Sequence, residues 1–208
     1  RQKGSVPMNV VPGLGDHNVG MNLVAGILAA LYQAKVKGVG EKVETSLFES
    51  AIFNFGMMIQ ASNYEGIAQN YPIDVRESAN PFNAAWRTKD ERFIQTCMPD
   101  YNTYYKKFMA AIGREDLVES DKYFPVQSLQ ANKLGTEVYD IVMEAINKND
   151  MEYWRTVFTE ADIPFALAQN WMEIRNDKQA EANNCFYDMT YENGNTRRLV
   201  RLPVKFTE

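Results

Sequence analysis

Several glycines surround a long apolar segment near the start of the sequence, where they could form a loop that binds phosphate. A dinucleotide-binding fingerprint needs glycines at relative positions one, three and six, whereas Gly13, Gly15 and Gly20 fall at one, three and eight. A P-loop needs its last glycine to be followed by Lys and then Ser or Thr, but Gly38 and Gly40 precede Glu and Lys. Neither spacing fits, so we interpret these glycines as sites of packing and turning.

Metal-ligating and thiol side chains are scarce. The sequence holds one histidine, His17, and two cysteines, Cys97 and Cys185. A metal site needs several such ligands at short spacing, and the sequence has no HxxxH or CxxC pattern. Two cysteines so far apart are also too few for a disulfide framework. We therefore predict no metal site and two buried thiols.

The charge balance argues against one class of partner. The 208 residues carry 22 Lys and Arg against 27 Asp and Glu, a formal net charge of −5. Because binding to nucleic acid needs a concentrated basic surface, we do not expect nucleic acid as a partner. A basic strip lies near the end of the sequence, and its alternation is typical of a solvated edge strand, although contact with a phosphate stays open. Its members are Arg197, Arg198, Arg201 and Lys205.

The most apolar run of the sequence covers residues 19–34 and contains Gly20, Asn22 and Gln33. At about sixteen residues we expect it to be too short and too polar to span a bilayer. The sequence begins with Arg, and no basic-then-apolar secretion signal precedes the predicted fold. These features predict a cytoplasmic protein without a membrane partner.

The first third of the sequence alternates between helix and strand patterns. Apolar spacing predicts a helix over residues 18–37 that ends at Gly38, with Asp16 or Asn18 as its N-cap. A short strand over 41–45 and a helix over 46–68 are expected next. This order favours the α/β class with a mostly parallel sheet. The first helix should bury a face made of Val24, Ile27, Leu28 and Leu31.

The remaining sequence predicts a second, smaller unit. Residues 69–83 contain two prolines and break the periodicity, as a linker does. Residues 82–88 and 92–98 predict a hairpin, and Asp100 should cap a helix that Gly113 stops. Further helices are expected over 128–147 and after Asp150, then a short helix over 177–183 and a hairpin of 185–191 with 198–206. The aromatic cluster Tyr101, Tyr104, Tyr105 and Phe108 is interpreted as core, with a pocket lining as the alternative.

Three stretches carry a resemblance to a known family. They are GDH at residues 15–17 with AGILAALY and KGVGEKVETSLFES, then NPFNAAWRTKDERFIQTCM with IGREDL and DKYF, and finally ADIPFALAQNWMEIRNDKQAEANN with RLPVKF. Together they span nearly the whole sequence, which resembles the family III CoA-transferases of the CaiB/BaiF type. The middle stretch is most similar to the branch acting on (R)-2-hydroxyacids in amino-acid fermentation, the phenyllactate and 2-hydroxyisocaproate CoA-transferases.

The resemblance implies an α/β fold in which a Rossmann-like large domain is joined to a small α+β domain. Residues 1–74 would belong to the C-terminal part of the large domain and its linker helix. Residues 75–162 would form the small domain, and residues 163–208 would return to the large domain. In the complete enzyme two such subunits would interlock as a homodimer.

The resemblance also implies a covalent mechanism. An aspartate would attack an acyl-CoA and pass through an aspartyl-CoA thioester to a carboxylic acid, so CoA thioesters are substrates and no cofactor is held tightly. In the family this aspartate lies upstream of the GDH segment, so we expect no catalytic residue here and inactivity of this chain alone. Asp16, His17 and Gly20 are assigned structural roles. A loop covering the active site would correspond to Ser78, Ala79, Asn80 and Pro81, with a plain interdomain connection as the alternative.

Two other functions remain open from the sequence. An acyl-CoA racemase of the same fold would transfer a proton with a His and Asp pair, which would also lie upstream. A non-catalytic oligomerisation module derived from the enzyme would fold without any acyl-CoA turnover.

Overall fold

The structure is a computed structural model that describes Gly4, residues 11–64 and residues 74–205. The chain forms two compact units, Arg1–Ser78 and Ala79–Glu208. The three segments 1–74, 75–162 and 163–208 expected from the sequence remain predictions. Residues 65–68 of the predicted second helix and residues 69–73 of the predicted linker lie outside the described residues.

The first unit is built around helix α1 (Leu14–Lys37). Its end at Gly38 is confirmed, since this residue adopts the left-handed conformation with φ 72° and donates its amide to Ala34. Its start was predicted wrongly: Gly13 occupies the N-cap, and no side chain caps the helix. Asp16 instead lies inside the first turn, where a carboxylate favours the positive end of the helix dipole.

Helix α1 is also longer than the apolar run over residues 19–34, since it has 24 residues. By length and composition its 24 residues could cross a membrane, and it is the one such helix in the described part of the chain. The expectation that this segment is too short to span is therefore corrected. Length and composition alone do not distinguish such a helix from a core helix of a larger domain.

After α1 the chain does not form the strand predicted over residues 41–45, which are irregular. A strand needs a hydrogen-bonding neighbour, and the described residues supply none at this place. The helix predicted over 46–68 is split into α2 (Leu47–Asn54) and α3 (Gly56–Ala61) at Phe55. Ser46 caps α2 by accepting the amide of Glu49, which explains where this helix begins.

The second unit contains an antiparallel sheet of three strands, β1 (Ala85–Arg87), β2 (Phe93–Thr96) and β3 (Phe165–Leu167), in that order. The predicted hairpin is confirmed, with Trp86 opposite Ile94. The sequence did not predict β3, which follows Pro164 and pairs with β2. All strand pairs of the described residues are antiparallel, so the mostly parallel sheet predicted for the chain does not occur among them.

Helices cover the sheet. Asp100 caps α4 (Tyr101–Ala111) through the amide of Thr103, as predicted. The single helix predicted over 128–147 is two helices, α5 (Val126–Ala131) and α6 (Gly135–Ile146), separated at Lys133, whose φ of 53° is incompatible with a continuous helix. Asp150 lies at the N-cap of α7 (Met151–Glu160), although its side chain makes no capping hydrogen bond.

The last part of the described chain contains two short helices and a hairpin. Helix α8 (Trp171–Arg175) was not predicted, whereas α9 (Lys178–Ala182) and its cap Asp177 match the predicted helix. The predicted hairpin is present as β4 (Phe186–Thr190) and β5 (Thr196–Val200), but its second strand ends at Val200 and residues 201–205 are not part of it, in contrast to the predicted strand over 198–206. The prediction of two buried thiols is wrong, since Cys97 is exposed and Cys185 is half-buried.

The hydrophobic core of the described residues belongs to the second unit. Every buried hydrophobic side chain lies between Phe82 and Ile163. The largest fully buried side chains include Trp86, Trp154 and Tyr105, and aromatic rings contact one another through much of this core. The second unit is therefore the well-packed scaffold that positions the candidate site.

Candidate functional site

The loop before β1 contains the four candidate residues Ser78, Ala79, Asn80 and Pro81, and it is fixed at its C-terminal end. The Asn80 amide donates to the carbonyl of Met98 at 2.7 Å, and its side-chain oxygen accepts the backbone amide of Phe82 at 3.1 Å. The side chain of Asn80 is thus engaged in holding the loop against the end of β2. Pro81 is buried, Ser78 and Asn80 are half-buried, and Ala79 is exposed.

A second asparagine completes this attachment, and the sequence did not single it out. The backbone amide of Met98 donates to the Asn83 side chain at 2.6 Å, while the Met98 carbonyl accepts from Asn80. Two asparagines three residues apart therefore bind both polar backbone groups of one residue. The sequence signal was the NPFN segment itself, because Asn next to Pro is typical of a side chain that bonds a turn.

A buried hydrogen-bond network lies directly behind the loop. The hydroxyl of Thr96 accepts the indole N–H of Trp86 at 2.7 Å and donates to the carbonyl of Phe82 at 2.5 Å. All three residues are fully buried. A buried polar group without a partner is costly, so these two bonds fix the position of the chain just after Pro81.

On its other side the loop contacts helix α5. The side chain of Gln130 donates to the carbonyl of Ala79 at 3.3 Å. Together with the asparagine contacts, this makes the segment a fixed rim whose exposed member is Ala79. Such a rim can present backbone groups to a ligand and exclude water, while the Asn80 and Pro81 side chains serve to anchor it.

The three residues assigned structural roles lie in the first unit, on the first turns of α1. Asp16 and His17 are exposed, and the backbone amide of His17 donates to Gly13 at 2.9 Å as part of the helix. Gly20 is half-buried, and a methyl group added there would meet nothing within 4 Å. The described residues therefore bring no second titratable group to Asp16 that would mark it as a reacting carboxylate.

The aromatic cluster is largely core. Tyr101, Tyr105 and Phe108 are buried, while Tyr104 is half-buried beneath the ammonium group of Lys107. The Tyr101 and Tyr105 hydroxyls donate to backbone carbonyls at 2.9 and 2.7 Å. Burial raises the pKa of the Tyr101 hydroxyl, and burial likewise raises the pKa of Tyr105 to about 12. These tyrosines stay neutral and structural at physiological pH.

Two members of the basic strip near the end of the chain contact neighbouring residues of the hairpin and of α9. The guanidinium of Arg198 lies over the ring of Phe186 and pairs with Glu181. That of Arg201 lies over the ring of Tyr187 and donates to the carbonyl of Phe186. These two cations are therefore partly engaged by neighbouring side chains, and contact of the strip with a phosphate stays a prediction. In the part of the chain that the structure describes, no cluster of three metal-ligating residues occurs.

Comparison with known proteins identifies the family of this chain. The model of CoA-transferase family III matches residues 1–208. The chain therefore belongs to CoA-transferase family III, as the resemblance of its motifs implied.

Two curated relatives show which CoA-transferases this chain is similar to. Over 207 residues the chain is 47% identical to the cinnamoyl-CoA:phenyllactate CoA-transferase of Clostridium sporogenes, covering 100% of this chain and 50% of that protein. Over 205 residues it is 36% identical to the (R)-2-hydroxy-4-methylpentanoate CoA-transferase of Clostridioides difficile, covering 99% and 50%. The chain thus spans about half the length of the curated relatives it matches.

Solved structures agree on the fold. The protein Rv3272 of Mycobacterium tuberculosis superposes with a TM-score of 0.76 at 19% identity, covering 98% of this chain and 54% of that one. A CaiB/BaiF family protein of Brucella suis gives a TM-score of 0.75 at 15% identity, covering 100% and 52%. The mixed helix and sheet arrangement is accordingly that of the family III CoA-transferases.

Proposed function

We propose that this chain is part of a CoA-transferase that moves CoA between an acyl-CoA and a 2-hydroxycarboxylic acid. The observation that carries the proposal is the 47% identity, over the whole chain, with a relative named as a cinnamoyl-CoA:phenyllactate CoA-transferase. The second relative is also named for a 2-hydroxyacid. Phenyllactate and 2-hydroxy-4-methylpentanoate share the hydroxyacid group and differ in the apolar side chain. We therefore propose a class of acid substrate, the 2-hydroxycarboxylic acids, and not one particular acid.

The proposed reaction uses an aspartate that lies in the part of the protein outside this sequence. Its carboxylate oxygen attacks the thioester carbonyl of the donor acyl-CoA. The C–S bond breaks, CoA departs as the thiolate, and the aspartate and the donor acyl group are joined as a mixed anhydride. The thiolate then attacks the aspartyl carbonyl, and the C–O bond breaks to release the donor acid and leave aspartyl-CoA. The acceptor carboxylate then attacks aspartyl-CoA, which forms a second mixed anhydride and releases CoA thiolate. The thiolate attacks the acceptor carbonyl of this anhydride, which gives the acceptor acyl-CoA and frees the aspartate. Each step exchanges one activated acyl group for another, which avoids a single difficult displacement.

The chain described here would contribute scaffold and cover to that reaction. The rim formed by Ser78, Ala79, Asn80 and Pro81 is held by Met98 and α5, and its exposed member Ala79 would face substrate. Water excluded by such a rim cannot hydrolyse the anhydride or the thioester. Asp16 is not assigned the nucleophile, because its place in the first turn of α1 accounts for a carboxylate there.

The remaining elements of the proposal follow from the same assignment. The partners are an acyl-CoA and a carboxylic acid, and CoA acts as a substrate and not as a resident cofactor. We propose that the complete protein is a cytoplasmic homodimer.

A complementation assay tests the proposal. The chain is combined with the half of the Clostridium sporogenes relative that it does not match, and CoA exchange from cinnamoyl-CoA to phenyllactate is followed by liquid chromatography. We expect no exchange by either polypeptide alone and exchange by the pair. Exchange by this chain alone would contradict the assignment of the nucleophile. Deuterium incorporation at the α-carbon of an acyl-CoA without exchange would support a racemase instead.

A further inference from the structure

A set of side-chain hydrogen bonds connects the rim to helices α4 and α5 and then back to the rim. It begins at Met98, whose two backbone groups are bound by Asn80 and Asn83. Met98 is fully buried and lies two residues before Asp100, the N-cap of α4. The end of β2 therefore joins the rim to the start of α4. We name these contacts the rim–helix network, and its side chains are those of Asn80, Asn83, Asn102 and Gln130.

The next member of the rim–helix network is Asn102, in the first turn of α4. Its side-chain oxygen accepts the backbone amide of Val126, the first residue of α5, at 2.8 Å. The N-cap of α5 is Pro125, whose side chain makes no capping hydrogen bond. The first amides of a helix have no partner within that helix. Asn102 therefore supplies from α4 the cap that α5 lacks.

Helix α5 depends on this outside contact because it is short. It has six residues, too few to be stable as an isolated helix in water. The side chain of Leu129 is 1% exposed and holds α5 on the core, but hydrophobic burial is non-directional and does not fix the rotation of a helix. The hydrogen bond between Asn102 and Val126 is directional, so it sets which way the exposed side of α5 faces.

Gln130 completes the rim–helix network one turn further along α5. Its side-chain amide donates to the carbonyl of Ala79 at 3.3 Å, and Ala79 is the exposed member of the rim. Gln130 reaches Ala79 only while α5 keeps the position that Asn102 sets. We propose that Asn102 is a positioning residue that keeps the rim in place before any ligand binds.

The consequence for catalysis rests on the proposed function, in which the rim excludes water from activated acyl groups. A rim that is already in place does not have to be ordered when substrate binds, so no binding free energy is spent on ordering it. Loss of the contact between Asn102 and Val126 should let the rim move and admit water. The ratio of acyl-CoA hydrolysis to CoA exchange should then rise by about threefold or more.

Hydrogen exchange of the chain alone tests the rim–helix network without any measurement of CoA exchange. We expect Asn102→Ala to speed amide exchange over residues 79–83 by about threefold or more, beyond any change caused by lower global stability. Asn102→Asp should keep the parental exchange rate, because its carboxylate still accepts the amide of Val126. The matched control is Asn176→Ala, which removes a side chain bonded to the carbonyl of Met172 on α8 and should leave the rim unchanged.

A second substitution separates the rim–helix network from a general loosening of the fold. Gln130→Ala should speed exchange over residues 79–83 to a similar extent. In that background Asn102→Ala should add nothing further, because the two residues act through the same contact with the rim. Additive effects of the two substitutions would overturn the proposal. Parental exchange of the rim in Asn102→Ala would also overturn it, as would an acceleration that is equal in the rim and in α4.

The same variants are then assayed in the pair formed with the unmatched half of the Clostridium sporogenes relative. A higher ratio of hydrolysis to exchange in Asn102→Ala, absent in Asn102→Asp and Asn176→Ala, would support the positioning role. An unchanged ratio in a pair that exchanges CoA would overturn it. A pair that exchanges no CoA, while the rim responds as expected in hydrogen exchange, would refute the proposed function and leave Asn102 as the residue that positions the rim.

Discussion

The buried hydroxyl of Thr96 offers the sharpest test of how the candidate rim is held. Thr96→Val keeps the shape of the side chain and removes one oxygen. The indole N–H of Trp86, bonded to that oxygen at 2.7 Å, would lose its acceptor, and the Phe82 carbonyl would lose a donor at 2.5 Å. All three residues are fully buried, so water cannot replace either bond without opening the core.

The magnitude follows from these two bonds. An unsatisfied buried donor costs about 1–3 kcal/mol, and loss of the second bond adds about 1 kcal/mol. Replacing a hydroxyl by a methyl group in a core returns about 0.8 kcal/mol. The net destabilisation of the second unit is then about 1–3 kcal/mol. At about 4 °C per kcal/mol, the midpoint of its thermal unfolding should fall by about 4–12 °C.

Tryptophan fluorescence measures this change in the second unit specifically. All three tryptophans, Trp86, Trp154 and Trp171, lie in that unit. The control is Thr156→Val, the same substitution on the exposed side of α7, which should stay within about 0.5 kcal/mol of the parent chain. In a Trp86→Phe background the cost of Thr96→Val should shrink, because the donor left without a partner is already gone.

Two results would contradict this role of Thr96. One is an unchanged unfolding midpoint in Thr96→Val while Thr156→Val behaves as expected, and the other is an equal cost of Thr96→Val with Trp86 and with Phe at that position. In either case the buried network would not be what fixes the chain behind the rim.

Three other predictions concern the same unit. Stability should fall as the pH rises from about 10, the pKa of an unfolded tyrosine, to about 12, the pKa of folded Tyr105, because only the folded state keeps that proton over this interval. Urea unfolding at several alkaline pH values should show a shallower loss in Tyr105→Phe, and an identical loss would contradict this. Asn80→Ala should lower the thermal midpoint by a few degrees, about 1 kcal/mol, and speed hydrogen exchange over residues 78–83, whereas unchanged exchange would show that the amide does not hold the rim. The Glu173 carboxylate accepts the backbone amide of Asn170 and pairs with Arg92, and both interactions lower its pKa, so the stability it contributes should be lost as the pH falls through the acidic range. Glu173→Gln should flatten that acid dependence, and an unaltered pH profile would refute it.

The features that the sequence predicted correctly are those set by neighbouring residues. Asp100 caps α4 because its carboxylate reaches an amide three residues away, and the hairpin of β1 and β2 closes over a short polar turn. Gly38 ends α1 because the left-handed conformation there is easily adopted by glycine. Each of these depends on contacts within a few residues.

The features that the sequence predicted wrongly depend on distant partners. Strand β3 forms because Phe165–Leu167 finds an open edge on β2, and nothing near it in the sequence indicates that edge. The face of α1 predicted to be buried is instead exposed, with Leu28 61% and Leu31 60% accessible. Its apolar pattern is typical of a buried face, but no residue in the described part of this unit covers it.

The place of the candidate site stays a prediction, and the contacts that hold its loop could not be predicted from the sequence. Its residues Ser78, Ala79, Asn80 and Pro81 came from the family resemblance. Apolar periodicity could not show that Asn80 and Asn83 bind the two backbone groups of Met98, because side-chain to backbone bonds across separate strands leave no periodic pattern.

Under the proposed function, the attacking carboxylate lies outside this sequence. The most direct test is to incubate the pair, this chain with the other half of the relative, with cinnamoyl-CoA and then with hydroxylamine, and to locate the trapped hydroxamate by peptide mass spectrometry. We predict an aspartyl hydroxamate on the other half and none on residues 1–208. A hydroxamate on Asp16, or on any other carboxylate of this chain, would contradict the account.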